Sequence, residues 1–218
     1  MRRYRKRILH VTVLIDRVCN TDENMSWVEL TANILAVIRK VSLLFEKEFA
    51  MSFSVVKILT YDFSTNPHKC MVNDYLKELK FFAEKNASDI ILGFTTKELF
   101  YVCDMENGAP VLKYCAGFGD RAGAAIIRLT PWDRINTFIT CHELAHVFDA
   151  IHCDDTASIM IKSISVEEKS NAFINWIRIS PPIPQTFDRR NKQIILFRKF
   201  KKFTKAFPSS YHIEHRIA

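Results

Sequence analysis

Long apolar runs are missing from this chain. None approaches the roughly 18 consecutive apolar residues of a membrane-crossing helix, so no such helix is expected. Glycine is scarce, five in 218 residues, and there is neither an internal repeat nor a long low-complexity tract, which excludes fibrous and disordered classes. No C-x-x-C pair occurs among Cys19, Cys70, Cys103, Cys115, Cys141 and Cys153. A disulfide framework is therefore not indicated, and buried reduced thiols suited to a reducing compartment are expected. A secretory signal is also lacking: the apolar stretch after the basic start is interrupted by His10 and Thr12, ends at Asp16 and has no small-residue cleavage site. As written, the sequence reads as cytoplasmic; a secreted or surface-associated protein would require an export signal to have been removed.

What is present is a core-forming composition, 48% hydrophobic and 12% aromatic, sized for a single domain over residues 1–218. The net charge of +7 gathers at the ends, in MRRYRKR and from Arg189 to Lys205. Residues 1–7 read as a basic arm and 206–218 as a flexible tail. Such termini are ordinarily solvated faces or surface tethers, so nucleic acid is not an expected partner; a polyanion-binding module is kept as a distant alternative.

Ile8–Ile15 alternates like a strand. Ser26 then caps a helix from Trp27 to Phe49, with Leu30, Ile34, Val37, Ile38, Val41, Leu44 and Phe45 on one face. Met51–Tyr61 is a second strand, Asn66-Pro67 a loop, Asn73–Lys85 a helix and Asp89–Phe94 a buried third strand. This β-α-β-α-β order predicts a mainly parallel sheet. Beyond the Asn107-Gly108 turn, Val111–Gly117 and Ala124–Leu129 are strand candidates, one of them an edge. Gly117, Gly119 and Gly123 between them suit a bulge, a turn or a close backbone approach. Thr130-Pro131-Trp132-Asp133 reads as a helix start with Thr130 as N-cap, and the helix runs to about Phe148. Ser165-Val166-Glu167-Glu168 offers another capping signal, while FINWIRI is open between helix and strand. A last helix, Phe187 to Phe203, is expected to present Ile194, Phe197, Phe200 and Phe203 on one side.

The chemistry concentrates in HELAHVFDAIH, residues 142–152. His142 and His146 are one helical turn apart, about 40° from alignment, so both imidazoles can meet one ion. Glu143 projects roughly 100° around the axis, where a carboxylate can take a proton from metal-bound water. His152 completes three nitrogen ligands once the helix ends and the chain turns back, leaving an open position of the catalytic type for a single Zn2+.

This segment resembles the H-E-x-x-H-x-x-G-x-x-H signature of the metzincin metallopeptidases, and Met160 stands where that family has its Met-turn. The resemblance implies a metzincin-like zincin domain of the α/β (α+β) class: a twisted, mainly parallel sheet with an antiparallel edge strand, an active-site helix and a C-terminal helix. It further implies a zinc-dependent endopeptidase acting on peptides or proteins, with Glu143 as general base and Tyr114–Phe118 at the cleft edge. Cys153 after the third histidine is similar to archaemetzincins, and the Ser158-Ile159-Met160 ending to adamalysins. One residue departs from the pattern: Asp149 occupies the usual glycine position, where it must enter the left-handed region at a cost of about 1 kcal/mol. An inactive zinc-binding relative is the alternative this leaves open. Cys141 and Cys153 are read as packing residues, Asp154 and Asp155 as a solvated turn, and His212 and His215 as surface residues.

Overall fold

A computed structural model describes residues 5–19, 25–62, 69–85, 88–106, 109–162, 165–170, 175–180 and 182–203. The Asn66-Pro67 loop, the Asn107-Gly108 turn, the 206–218 tail with His212 and His215, and the first four residues of the basic arm lie outside them.

A five-stranded sheet forms the middle layer. Its strands are β1 (Arg7–Asp16), β2 (Met51–Tyr61), β4 (Ile90–Thr95), β7 (Gly117–Asp120) and β8 (Ala124–Arg128), in the order β2-β1-β4-β8-β7. The first four in that order are parallel and β7 runs antiparallel at the edge, as expected. Helices α1 (Trp27–Phe49) and α3 (Asp133–Val147) pack one face, burying Leu9, Val11, Val13 and Ile15 of β1. Helix α2 (Val72–Lys85) packs the other, against Leu14, Ile91 and Ile126. Alternate residues of β1 thus serve opposite cores, as a period of two dictates. A sheet of β3 (Lys69–Met71), β5 (Glu98–Glu106) and β6 (Ala109–Cys115), and a hairpin of β9 (Ser165–Ser170) and β10 (Asn175–Ser180), complete the strands; α4 (Arg189–Arg198) follows.

Local signals explain α1 fully. Ser26 Oγ accepts from the Glu29 amide, the Glu29 carboxylate accepts from the Ser26 amide, and Ala50 ends the helix in the left-handed region. Phe45 then clusters with Phe49, Phe53, Phe148 and Phe187 at centroid distances between 5.1 and 6.2 Å, tying α1, β2, the end of α3 and the start of α4 together.

Four sequence expectations need correction. Trp132, not Thr130, is the N-cap of α3, and it makes no side-chain cap. Thr130 is instead engaged with Asn136: its amide donates to Asn136 Oδ1 and its carbonyl accepts from Asn136 Nδ2, both at 2.8 Å. Ser165–Glu168 starts no helix; it pairs antiparallel with 175–180, where the β-branched and aromatic residues favour a strand. The last helix is shorter than expected because Asp188 caps it, accepting from the Asn191 amide, while Phe187 enters the aromatic cluster. Its inward residues are Asn191 and Ile195, and Phe197 is 83% exposed. Finally, the basic C-terminal run is not simply solvated: the buried Lys199 donates to the Arg5 carbonyl, and its own carbonyl accepts from Arg7. Desolvation, and then the charge of Arg7, hold the Lys199 ammonium below its ordinary pKa.

Strand β1 is flanked by β2 on one side and by the later strand β4 on the other. At the carboxyl ends of β1 and β4, Asp16 accepts from Tyr75 Oη at 2.7 Å and Thr95 Oγ1 at 2.9 Å, and pairs with Lys97 Nζ at 3.3 Å. All four side chains are buried, so this switch point of the sheet is filled by the protein's own polar groups.

Candidate metal centre

Helix α3 carries His142, Glu143 and His146 on one stretch and ends at Val147. Its last turns close through Phe148 N–H to the Ala145 carbonyl and Asp149 N–H to the His146 carbonyl. Asp149 then adopts φ 66°, the left-handed conformation the sequence demanded, and the chain doubles back to His152. Three basic groups converge on its carboxylate: Arg198 Nε at 2.7 Å, Lys201 Nζ at 3.1 Å and Arg121 Nε at 3.5 Å. The turn is therefore held by charge where a glycine would need no help.

The three Nε2 atoms form a nearly equilateral triangle: 3.1 Å from His142 to His146, 3.1 Å from His142 to His152 and 3.2 Å from His146 to His152. Three nitrogens at the roughly 2.0–2.1 Å bond lengths of tetrahedral zinc lie about 3.3 Å apart, so this triangle fits one zinc ion. His142 Nδ1 lies 2.7 Å from the Ile159 carbonyl and His146 Nδ1 2.8 Å from the Ala150 carbonyl. Donation to those carbonyls leaves each Nε2 as the lone-pair nitrogen facing the others. Desolvation, opposed by the Ile159 carbonyl and aided by His152, lowers the His142 pKa to about 4. Burial, then the charges of His142 and His152 and, further down, Arg121, hold His146 well below its ordinary value. Both rings are thus in the neutral form a metal requires. Burial falls from His142 through His146 to the exposed His152, so the cluster opens to solvent on one side.

Glu143 follows His142 on the helix and is buried. Burial lifts its carboxyl to about 8, opposed by a hydrogen bond from the Gly119 amide of β7. The strand can come this close because it lacks side chains there. A Cβ on Gly117 would lie 2.7 Å from Glu143 Cγ, and one on Gly119 only 2.1 Å from the Glu143 carbonyl oxygen. Close backbone approach, one of the three readings left open for these glycines, is the one observed.

Met160 is fully buried beyond this turn. The Cys153 amide donates to its carbonyl at 2.9 Å, which ties the segment after His152 to the Met160 turn. Asp188 and Asn191, which sequence reasoning did not single out, brace both from α4. Asn191 bonds the amide and carbonyl of Ile151 at 2.8 and 2.9 Å, and Asp188 accepts from Ser158 Oγ at 2.7 Å. Their signal was an Asp three residues before an Asn at a helix start, which reads only as a cap. Cys141 is buried and its thiol pKa is pushed up by desolvation, while Cys153 Sγ donates weakly to Asp188. Cys19, Cys103, Cys115, Cys141 and Cys153 are not joined in disulfides. Asp154 pairs with Lys162 in solvent and Asp155 caps the Ala157 amide, the turn roles expected of them. The expected cleft-edge segment Tyr114–Phe118 is divided: Tyr114 belongs to β6 of the other sheet, and the strand beside Glu143 is β7.

The family model for reprolysin-like proteins of metallopeptidase family M12 matches residues 6–174. The chain belongs to this family. Membership bears out the expectation of a metzincin zinc metallopeptidase, and the histidine triad could hold its metal ion. Two solved structures share the M12 chain's fold. The archaemetzincin of Methanopyrus kandleri matches with a TM-score of 0.57 at 15% identity, over 88% of this chain and 95% of that one. A zinc-dependent peptidase from Methanocorpusculum labreanum matches with a TM-score of 0.51 at 15% identity, over 85% and 99%. No curated protein matches the chain. Among the described residues, no helix is long and apolar enough to cross a membrane.

Proposed function

We propose that this M12 metallopeptidase is a zinc-dependent endopeptidase in which His142, His146 and His152 hold one zinc ion and Glu143 is the general base. The observation that carries the reading is the Nε2 triangle of 3.1–3.2 Å, with the buried Glu143 next to His142 on the same helix. Zinc, when bound, supplies a Lewis acid that polarises a peptide carbonyl and acidifies a coordinated water. Glu143 would take a proton from the attacking water and pass it to the leaving amine. The Gly119 amide fixes the carboxylate for both transfers. Burial raises the Glu143 carboxyl to about 8, and a bound cation would draw it back towards the ionised form a base needs. The free edge of a sheet is a natural template for an extended peptide, and β7 supplies that edge next to Glu143. Met160 packs beneath the turn as a structural residue.

The inactive alternative drew its ground from Asp149, but the turn survives there with φ 66° and three cationic partners. The test is metal analysis together with cleavage of a diverse peptide library by the wild type and Glu143→Gln. Both proteins should carry one zinc per chain, with cleavage reduced by about 10²–10⁴ in the variant. A wild type without zinc, or equal cleavage by the two proteins, would overturn the assignment.

A further inference from the structure

The cations around Asp149 outnumber it. Its carboxylate, 13% exposed, faces Arg121, Arg198 and Lys201, so one negative charge meets three positive ones. Both arginines reach the carboxylate through Nε, at 3.5 and 2.7 Å. Among the described residues neither pairs with any other carboxylate, and their side chains stay 65% and 48% exposed. They line a surface cavity of about 480 Å³ together with Asp149, Gln193, Ile194 and Phe197. Its wall is part apolar, part cationic.

Strand β7 links the cavity's Arg121 to the metal centre. Gly119, two residues before Arg121, packs against His146: a Cβ there would lie 2.9 Å from His146 Cβ.

We propose that this cavity is a substrate subsite selective for an acidic side chain, with Arg121 and Arg198 holding the carboxylate and Ile194 and Phe197 covering its methylenes. The proposal rests on the peptidase reading of the neighbouring centre. Strand β7 runs from the level of Glu143 at Gly117 to that of His146 at Gly119, and then to Arg121. A peptide paired antiparallel with β7 therefore presents the acidic residue on the N-terminal side of the scissile bond.

The test uses the full chain loaded with one equivalent of zinc and peptide pairs differing only by Glu or Gln at each of several positions around the cleaved bond. At one N-terminal-side position the Glu peptide should have the larger kcat/KM by on the order of tenfold at low salt, shrinking as salt screens the charges. Arg121→Gln and Arg198→Gln should each bring the ratio towards unity, and Arg198→Glu should shift preference to a Lys peptide, which a merely structural arginine would not do. Each variant leaves Asp149 two cations, so the turn keeps partners. Ratios near unity at every position, or ratios unchanged in the arginine variants, would overturn the subsite. Zinc-loaded Glu143→Gln protein, titrated with the same peptides carrying a fluorescent label, separates this failure from that of the peptidase reading. Arginine-dependent tighter binding of the Glu peptide upholds the subsite even if no peptide is cleaved; equal binding, or none, overturns it.

Discussion

Replacing Asp149 by glycine, the residue usual at this point of the motif, sets two effects against each other. Glycine relieves a left-handed conformation that costs Asp about 1 kcal/mol, yet it loosens the unfolded chain by about 0.5–1 kcal/mol, so the backbone gain nearly cancels. The carboxylate is another matter. Its loss leaves Arg121, Arg198 and Lys201 facing one another, with the Lys201 side chain only 21% exposed. Charge-assisted hydrogen bonds contribute roughly 1.5–3 kcal/mol, discounted here because both arginines are partly in solvent. The net expectation for Asp149→Gly is a loss of about 1–2 kcal/mol. Asp149→Asn, which tolerates the left-handed region and keeps an acceptor oxygen, should lose about 1 kcal/mol, whereas Asp149→Ala combines both penalties and should lose about 2–3 kcal/mol. Equilibrium urea unfolding in the presence of a chelator measures this without metal linkage, and added salt should narrow the gap between wild type and Asn. A glycine variant more stable than the wild type would refute the reasoning, since backbone strain would then dominate.

Gly119→Ala should destabilise the protein by about 1–3 kcal/mol in the same assay, because its Cβ meets the Glu143 carbonyl oxygen at 2.1 Å and backbone must move; unchanged stability would show that β7 yields freely. Asp188 gives a pH signature. Burial opposes its ionisation, but hydrogen bonds from the Asn191 side chain and backbone, Ser158 and Cys153 outweigh it and draw the carboxyl down to about 2. A depressed folded pKa means that its contribution is in place above about pH 4 and is lost as pH falls through 2, so Asp188→Asn should flatten the stability profile over that acid range. Parallel profiles for the two proteins would contradict the role given to these hydrogen bonds.

The triad was legible because its geometry is local: two histidines one turn apart on a helix, then a third within the reach of one tight turn. The same holds for the β-α-β-α-β order and the Ser26 capping box, which residues a few positions apart decide. What escaped depends on partners far along the chain. Asn191 recognises Ile151 across 40 residues, and Gly119 recognises Glu143 only once β7 lies on α3. Thr130 looked like a cap because its competitor, the Asn136 side chain, is itself inside the helix. Strand β5 escaped because its register shifts between Val102 and Asp104, which breaks the alternation that marks a strand. The exposed Phe197 shows the converse, an apolar stripe with helical spacing that the core does not use.

With no side chain between them at Gly119, β7 and α3 meet backbone to backbone, and that contact has a mechanical consequence. The strand and the helix that carries Glu143 touch through backbone atoms, so the spacing between the two elements is set by van der Waals contact and not by side-chain rotamers. The His152 turn, by contrast, is held to α4 by the side-chain hydrogen bonds of Asp188 and Asn191. Loosening those bonds would free the third histidine's turn while leaving β7 against Glu143.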